Sequence, residues 1–496
     1  MKRKNFLINK RERKKQRKID QYIDNDLPKD KIVLRDSFFS IPLGLLNEEN
    51  IKQLKNELTI KSNKKNYITK EPIQPSKIYD EVEDRIRIPK NYGYKFLKDL
   101  KLEYINQEEK GEDAMTLKGI ELELDEENRN QITAYNITLK ALLDTGGATL
   151  SLPPGDGKTE VALKITEAIG KKVCVIFYGE TILQEWKNRV PKRFKDAKVG
   201  CLMSDIYEYE NYDVVCVSVS SLINGKYDRD IMKKFGFTII DEAHHESSIE
   251  WSKCFRYICS PYILALSGTP KRNDGKEVLL ERVIGPVTFK SQRVYKKNVI
   301  VNLYELKYTA PKCIRLNNGE INTSRLLTNL GIIKLRNEQI IKQMGQYAET
   351  GRQMLILSDR IKQLKILKYY AFINYPNIKT SLLIGGMKTN EQEEAKTCQW
   401  IFSTYKKSGE GLDIKSLSII VLTTPKTNIE QAVSRIFRDK NPEFEPIIID
   451  FYDDYYNWPR QFYNRLKYFK KEKFTINFLF NSFKYPSLLS YSLYKN

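Results

Sequence analysis

Two short runs hold the side chains best suited to chemistry. Leu152 to Thr159 reads LPPGDGKT, between an apolar run of strand length and the helical stretch Glu160 to Ile169. A glycine-rich loop in that context lets backbone N–H groups wrap a polyphosphate, while the helix N-terminus adds positive potential. Pro154, Gly155, Asp156, Gly157, Lys158 and Thr159 are therefore candidate ATP-binding residues. Lys158 is expected to reach the β- and γ-phosphates, and Thr159 to ligate Mg²⁺ through its hydroxyl. Two positions depart from the usual loop. Leu152 stands where glycine is expected, and Asp156 puts a carboxylate into an anion cradle, so its side chain is expected to turn away to solvent.

The second run, Phe237 to His245, reads FTIIDEAHH. An apolar strand there delivers two carboxylates at its C-terminal end, where ligands of open α/β sheets sit. Asp241 is expected to hold Mg²⁺, and Glu242 to orient or deprotonate the attacking water. Alone, such a pair is an acidic strand-end turn; the phosphate loop upstream supplies it with a substrate. His244 and His245 are the only two histidines of the chain. Their place directly after the carboxylates points to His244 as a residue coupling the ATP site to neighbouring strands, with His245 structural.

These loops need a scaffold of short strands. Ala148 to Leu152, Val173 to Phe177, Val214 to Val219, Phe237 to Ile240 and Ile263 to Leu266 are such runs, alternating with helical stretches. A second set follows at Met354 to Leu357, Ser381 to Ile384, Trp400 to Phe402, Ile419 to Thr423 and Ile447 to Ile449. Alternation of this kind predicts α/β architecture, parallel sheets with helices on both faces. The expected divisions are a basic disordered tail at 1–30, an accessory domain at 31–120, a nucleotide-binding domain at 121–290, a Lys- and Asn-rich interdomain segment at 291–336, a second α/β domain at 337–480 and a tail at 481–496. Asn47 is placed to cap a helix running to Leu58.

The chain has 496 residues, is 30% charged and carries a formal net charge of +21. Such a surplus favours a polyanionic partner, and nucleic acid is the expected one. The run Lys10 to Lys18, KRERKKQRK, could touch phosphates or direct nuclear import. No apolar run approaches a membrane span of roughly 20 residues, and no secretory signal is read at the N-terminus. Seven scattered cysteines without a C-x-x-C predict reduced thiols in an intracellular, reducing compartment.

With these motifs in sequence order, the chain resembles superfamily 2 helicases with the D-E-A-H form of the second motif. Gln184-Glu185-Trp186 resembles motif Ia, Ser267 to Pro270 (SGTP) motif III, and Ser358-Asp359-Arg360 motif IV. Thr404 with Gly409 to Asp413 (GEGLD) resembles motif V, and Ile429 to Arg438 (IEQAVSRIFR) motif VI. Within that superfamily, Thr269 to Gly285 and Pro446 to Phe474 are most similar to the branch containing XPB, phage UvsW and helicases of large DNA viruses. Arg272-Asn273-Asp274 departs from an Arg-Glu-Asp element of XPB-like proteins, and Ser434 replaces the usual glycine of motif VI.

The resemblance implies two tandem RecA-like P-loop domains that close on ATP, plus a small N-terminal accessory domain. It implies that Gln131 reads the adenine edge, Asp413 accepts from the ribose, Gln431 contacts the γ-phosphate or its water, and Arg435 and Arg438 act as arginine fingers. Gln431 and Arg435 share one helix face by their spacing. Ser267 and Thr269 would link hydrolysis to strand movement. Ser218, Ser220, Ser358, Arg360 and Thr404 would contact phosphates without reading sequence. The implied activity is an ATP-dependent helicase or translocase, acting on DNA first. RNA as substrate, strand annealing without net unwinding, and a transcription factor with vestigial ATPase are the alternatives. The last is disfavoured because Lys158, Asp241, Glu242, Gln431, Arg435 and Arg438 are all present. A monomer is expected, virus-encoded and acting in host cytoplasm or nucleus or packaged in virions, with transcription or replication proteins as candidate partners.

Overall fold

The computed structural model describes residues 27–60, 75–120, 122–241, 253–268, 277–291, 295, 297–409, 412, 414–439 and 442–479. The chain divides into two units, Met1–Arg293 and Val294–Asn496. Glu242, His244, His245, Thr269, Asp413 and the terminal tails lie outside the described residues.

In the first unit the strands are β1 (Val33–Arg35), β2 (Phe38–Pro42), β3 (Thr59–Ile60), β4 (Ser76–Lys77), β5 (Asp80–Val82), β6 (Arg85–Pro89) and β7 (Ile105–Asn106). They continue with β8 (Gly147–Ser151), β9 (Val173–Phe177), β10 (Val199–Met203), β11 (Ile206–Tyr207), β12 (Val214–Ser218), β13 (Phe237–Ile240), β14 (Tyr262–Ser267) and β15 (Val287–Lys290). The main sheet has the order β11-β10-β12-β9-β13-β14-β8-β15, parallel except at the β11 edge. Its central strands are buried along their whole length. That is why Val173-Cys-Val-Ile-Phe177 reads as an unbroken apolar run: both faces of a parallel sheet are covered. Successive residues alternate between two cores. Cys174 and Ile176 enter one, while Val173, Val175 and Phe177 enter the other.

The first of these cores also contains Leu34, Phe39, Ile41, Ile86, Ile88 and Leu97 of the N-terminal segment. A five-stranded sheet, β5-β6-β2-β1-β7, therefore packs with the main sheet around shared apolar side chains. Buried polar contacts fasten it. Lys90 Nζ pairs with Glu108 at 2.9 Å and donates to the Pro261 carbonyl at 2.6 Å; Asp36 accepts from Arg229 at 2.8 Å. Asn47 caps helix Glu48–Glu57 by accepting from the Asn50 N–H at 2.7 Å.

The second unit holds β16 (Ile300–Glu305), β17 (Gln353–Ser358), β18 (Thr380–Leu383), β19 (Trp400–Thr404), β20 (Leu417–Leu422), β21 (Ile447–Tyr452) and β22 (Thr475–Phe478). They form a seven-stranded sheet, β18-β19-β17-β20-β21-β16-β22, in which every pair is parallel. Its residues again alternate between two cores, Leu355 and Leu357 to one and Met354 and Ile356 to the other. One correction concerns residues 291–336, read from composition as a connector. Residues 300–305 form β16, which lies between β21 and β22 inside the second sheet. Its inner residues Val301 to Tyr304 are all buried, which the Lys- and Asn-rich surroundings obscure. No helix among the described residues is long and apolar enough to cross a membrane.

Candidate nucleotide and nucleic-acid site

The parallel sheet of the first unit brings the candidate residues to one rim. Five adjacent strands, β12-β9-β13-β14-β8, end on the same side. Ser218 ends β12 opposite Phe177 of β9, Asp241 follows β13, and Ser267 ends β14 opposite Ser151 of β8. The phosphate loop leaves β8 directly. Open α/β sheets bind ligands outside these carboxyl ends.

Gly155 and Gly157 take φ of 92° and 85°, the left-handed region that a side chain disfavours. A Cβ on Gly157 would fall 2.2 Å from Gln131 Nε2, so a larger residue there would displace the Gln131 amide. Lys158 opens helix Lys158–Ile169 and is buried. The Ser267–Gly268 stretch lies against the loop: a Cβ on Gly268 would be 3.3 Å from Lys158 Nζ. Leu152 is fully buried among the residues of the second core, and this packing accounts for an apolar residue in place of glycine. Asp156 departs from expectation. It is 6% exposed rather than turned to solvent, and its carbonyl accepts from Gln131 Nε2 at 2.7 Å.

Asp241 is buried, and one of its oxygens, Oδ2, accepts from Trp186 Nε1 at 2.9 Å. A buried lysine, a helix-terminal threonine hydroxyl and a strand-end carboxylate from adjacent parts of one rim suit a polyphosphate with a hard divalent cation. Further along the rim, Ser218 and Ser220 share a hydroxyl–hydroxyl hydrogen bond of 3.0 Å; Ser218 is buried and Ser220 exposed.

In the second unit, Gln431 lies in the short helix Glu430–Val433, and Arg435 in the 3-10 turn Ser434–Phe437 that follows. Gln431 Nε2 donates to the Gly409 carbonyl at 2.9 Å. Arg435 donates to the same carbonyl at 2.6 Å and to that of Leu412 at 3.2 Å. Both side chains thus meet on the Gly409 carbonyl, and Arg435 is buried where Arg438 is half-buried. Thr404 ends β19 half-buried, and its hydroxyl accepts from the Lys407 N–H at 3.2 Å. Arg360 donates to the carbonyl and hydroxyl of Ser324, each at 3.1 Å.

Ser358 requires a correction. It is fully buried, its hydroxyl donates to Gln363 Oε1 at 2.7 Å and accepts from the Arg360 N–H at 2.9 Å. That hydroxyl organises the start of helix Ile361–Asn374 and is not exposed at the rim.

Three features escaped the sequence reading. Trp186 belongs to a motif whose residues carry no individual role in the sequence, and here it bonds Asp241. Arg336 forms a doubly bonded pair with Asp453, at 2.8 and 2.7 Å, and Tyr308 donates to Asp453 at 2.7 Å. Burial, reinforced by the Asp453 charge, pushes the Tyr308 phenol well above its usual range. Arg465 pairs with Asp450 at 2.8 Å, where burial raises the carboxyl and the guanidinium opposes it. Acidic residues within and after the apolar run IIIDFYDD were the available signal, since a buried carboxylate calls for a cationic partner.

Residues 125–272 match the family model described as Type III restriction enzyme, res subunit. The chain is 30% identical over 447 residues to L396 of Acanthamoeba polyphaga mimivirus, described as an ATP-dependent RNA helicase, covering 87% of this chain and 84% of that protein. It is 27% identical over 317 residues to helicase D10 of Escherichia phage T5, covering 60% of this chain and 66% of D10. Among solved structures, S. cerevisiae Dbp5 bound to RNA and ADP BeF3 is similar in fold, with a TM-score of 0.51 and 14% identity over 74% of this chain and 94% of Dbp5. The chain belongs to the superfamily 2 helicases, enzymes that couple ATP hydrolysis to work on nucleic acid.

Proposed function

We propose that this enzyme uses ATP with Mg²⁺ to translocate on or unwind DNA. The observation that carries the reading is the shared rim, where the phosphate loop, Ser267 and Asp241 leave three neighbouring parallel strands on one side. Lys158 neutralises the β- and γ-phosphates while the loop N–H groups hold them. Thr159 and Asp241 would hold Mg²⁺, which when bound offsets phosphate charge. Glu242 accepts the proton of the attacking water. Ser267, with His244 and Thr269, relays the state of this site along the rim.

Gln431, Arg435, Arg438 and Asp413 belong to the second unit, and Lys158 and Asp241 to the first. Under this reading, residues of both units contribute to turnover. Arg435 and Arg438 neutralise charge developing in the transition state. Arg435 also donates to the carbonyls of Gly409 and Leu412. Ser218, Ser220, Arg360 and Thr404 contribute phosphate contacts, which carry no sequence information.

The net charge of +21 favours a nucleic acid of either kind; DNA is favoured by the similarity of Thr269 to Gly285 and Pro446 to Phe474 to the XPB and UvsW branch and by the restriction-enzyme family at residues 125–272. The description of the mimivirus relative favours RNA as a second reading. Relatives from mimivirus and phage T5 support a virus-encoded origin.

The test is steady-state ATPase of the full chain with single-stranded DNA, duplex DNA and RNA, alongside strand-displacement assays. DNA is expected to stimulate turnover most. Lys158→Ala should abolish ATP binding, and Glu242→Gln should keep binding and stop turnover. Stimulation by RNA alone would replace the DNA reading, and near-parental turnover by Glu242→Gln would overturn the general-base role.

A further inference from the structure

Helix Glu180–Arg193 carries Gln184-Glu185-Trp186, a motif to which the mechanism above gives no task. Trp186 is fully buried in the core beneath the main sheet. Its one polar atom donates to Oδ2 of Asp241 at 2.9 Å. A buried indole N–H requires an acceptor, and here the acceptor is the carboxylate that follows β13. A hydrogen bond to an ionised carboxylate is stronger than a neutral one and fixes its orientation.

The same helix grips the other side of the nucleotide site. Arg189 pairs with Glu160 Oε1 at 2.8 Å and Arg193 with Glu160 Oε2 at 3.0 Å. Glu160 immediately follows Thr159 in the phosphate-loop helix. One helix thus touches Asp241 directly and is paired with the residue beside Thr159. Glu185 also pairs with Arg189 at 2.7 Å, one helical turn away.

We propose that Trp186 is a positioning residue for a divalent cation: through its indole N–H, helix Glu180–Arg193 sets the placement of Asp241 relative to Thr159. This rests on the reading of Asp241 and Thr159 as cation ligands. Residues that orient a metal's carboxylate typically contribute about 10–100-fold to metal affinity. Trp186 neither touches substrate nor moves a proton; its effect passes through Asp241.

The experiment measures Mn²⁺ binding to the full chain with ADP present, by electron paramagnetic resonance, and ADP binding in EDTA by calorimetry. Trp186→Phe keeps an aromatic ring in the core and removes the donor. It is expected to weaken Mn²⁺ about tenfold and leave metal-free ADP affinity at the parental value, with lost turnover recovering at high Mg²⁺. The double variant Arg189→Gln/Arg193→Gln alters only half-buried side chains and should weaken Mn²⁺ in the same direction, so it carries the test if Trp186→Phe fails to fold. Parental Mn²⁺ affinity in folded Trp186→Phe overturns the proposal, as does parental affinity in the double variant where that one decides. Equal loss of Mn²⁺ and metal-free ADP binding also overturns it, because that pattern reports a damaged loop. Asp241→Ala separates the two readings: if it leaves Mn²⁺ affinity unchanged, the ligand assignment itself fails.

Discussion

Gln131 Nε2 donates to the Asp156 carbonyl at 2.7 Å, and Gln131 Oε1 accepts from the Asp125 N–H at 2.8 Å. The amide joins the segment before helix Gln131–Thr145 to the crown of the phosphate loop. With its orientation set by these two bonds, it braces the loop whatever base the nucleotide carries. Gln131→Ala leaves both backbone groups without this partner, at a cost of about 1–3 kcal/mol. The expected result is weaker binding of ATP and GTP alike, by roughly tenfold or more. Equilibrium binding of both nucleotides checks this. Selective loss of ATP would restore adenine reading as the main role.

Arg435 and Arg438 should separate in their stability effects. Arg435 is buried on the carbonyls of Gly409 and Leu412, so Arg435→Ala is expected to lower Tm by several degrees and to lose stimulated turnover at least a hundredfold, roughly. Arg438→Ala should lose turnover to a similar degree, about 10²-fold or more, at nearly parental Tm. Thermal scans beside DNA-stimulated ATPase measure both. Parental turnover in Arg438→Ala would remove it from the catalytic set.

The Arg336–Asp453 pair is structural. Removing one partner strands a buried charge, typically at about 3–5 kcal/mol. Arg336→Ala should therefore lower the denaturant midpoint of the second unit sharply. Arg336→Met combined with Asp453→Leu should recover much of that loss, since no charge is left unpaired. A double variant no more stable than Arg336→Ala would show that the pair's geometry matters beyond its charge.

Binding to nucleic acid should weaken steeply with salt, because each neutralised phosphate releases counterions. Deleting Met1 to Lys18, which contains the basic run Lys10 to Lys18, should lower affinity and flatten that slope while leaving maximal ATPase nearly intact. Fluorescence titrations across a salt series provide the slope. An unchanged slope would make the segment a bystander.

Much of the scaffold could be read along the chain because its signals are local. Residues Val173 to Phe177 must be apolar throughout when both faces of a parallel strand are covered. A phosphate loop is likewise a contiguous strand–glycine–lysine unit, and Asp241 follows its strand in the same local sense. The sequence by itself therefore determined two α/β units, the phosphate loop and the carboxylate that faces the same rim. Other relationships depend on residues distant in the chain. Trp186 meets Asp241 across 55 positions, and Arg336 meets Asp453 across 117. The N-terminal sheet enters the first unit's core only through long-range packing, and β16 joins the second sheet only by pairing with β21 and β22. Ser358 looks like any strand-end hydroxyl until the turn of helix Ile361–Asn374 buries it. Only the tertiary structure decided these points, because burial and hydrogen-bond partnership are properties of three-dimensional neighbours, and composition and periodicity record only neighbours along the chain.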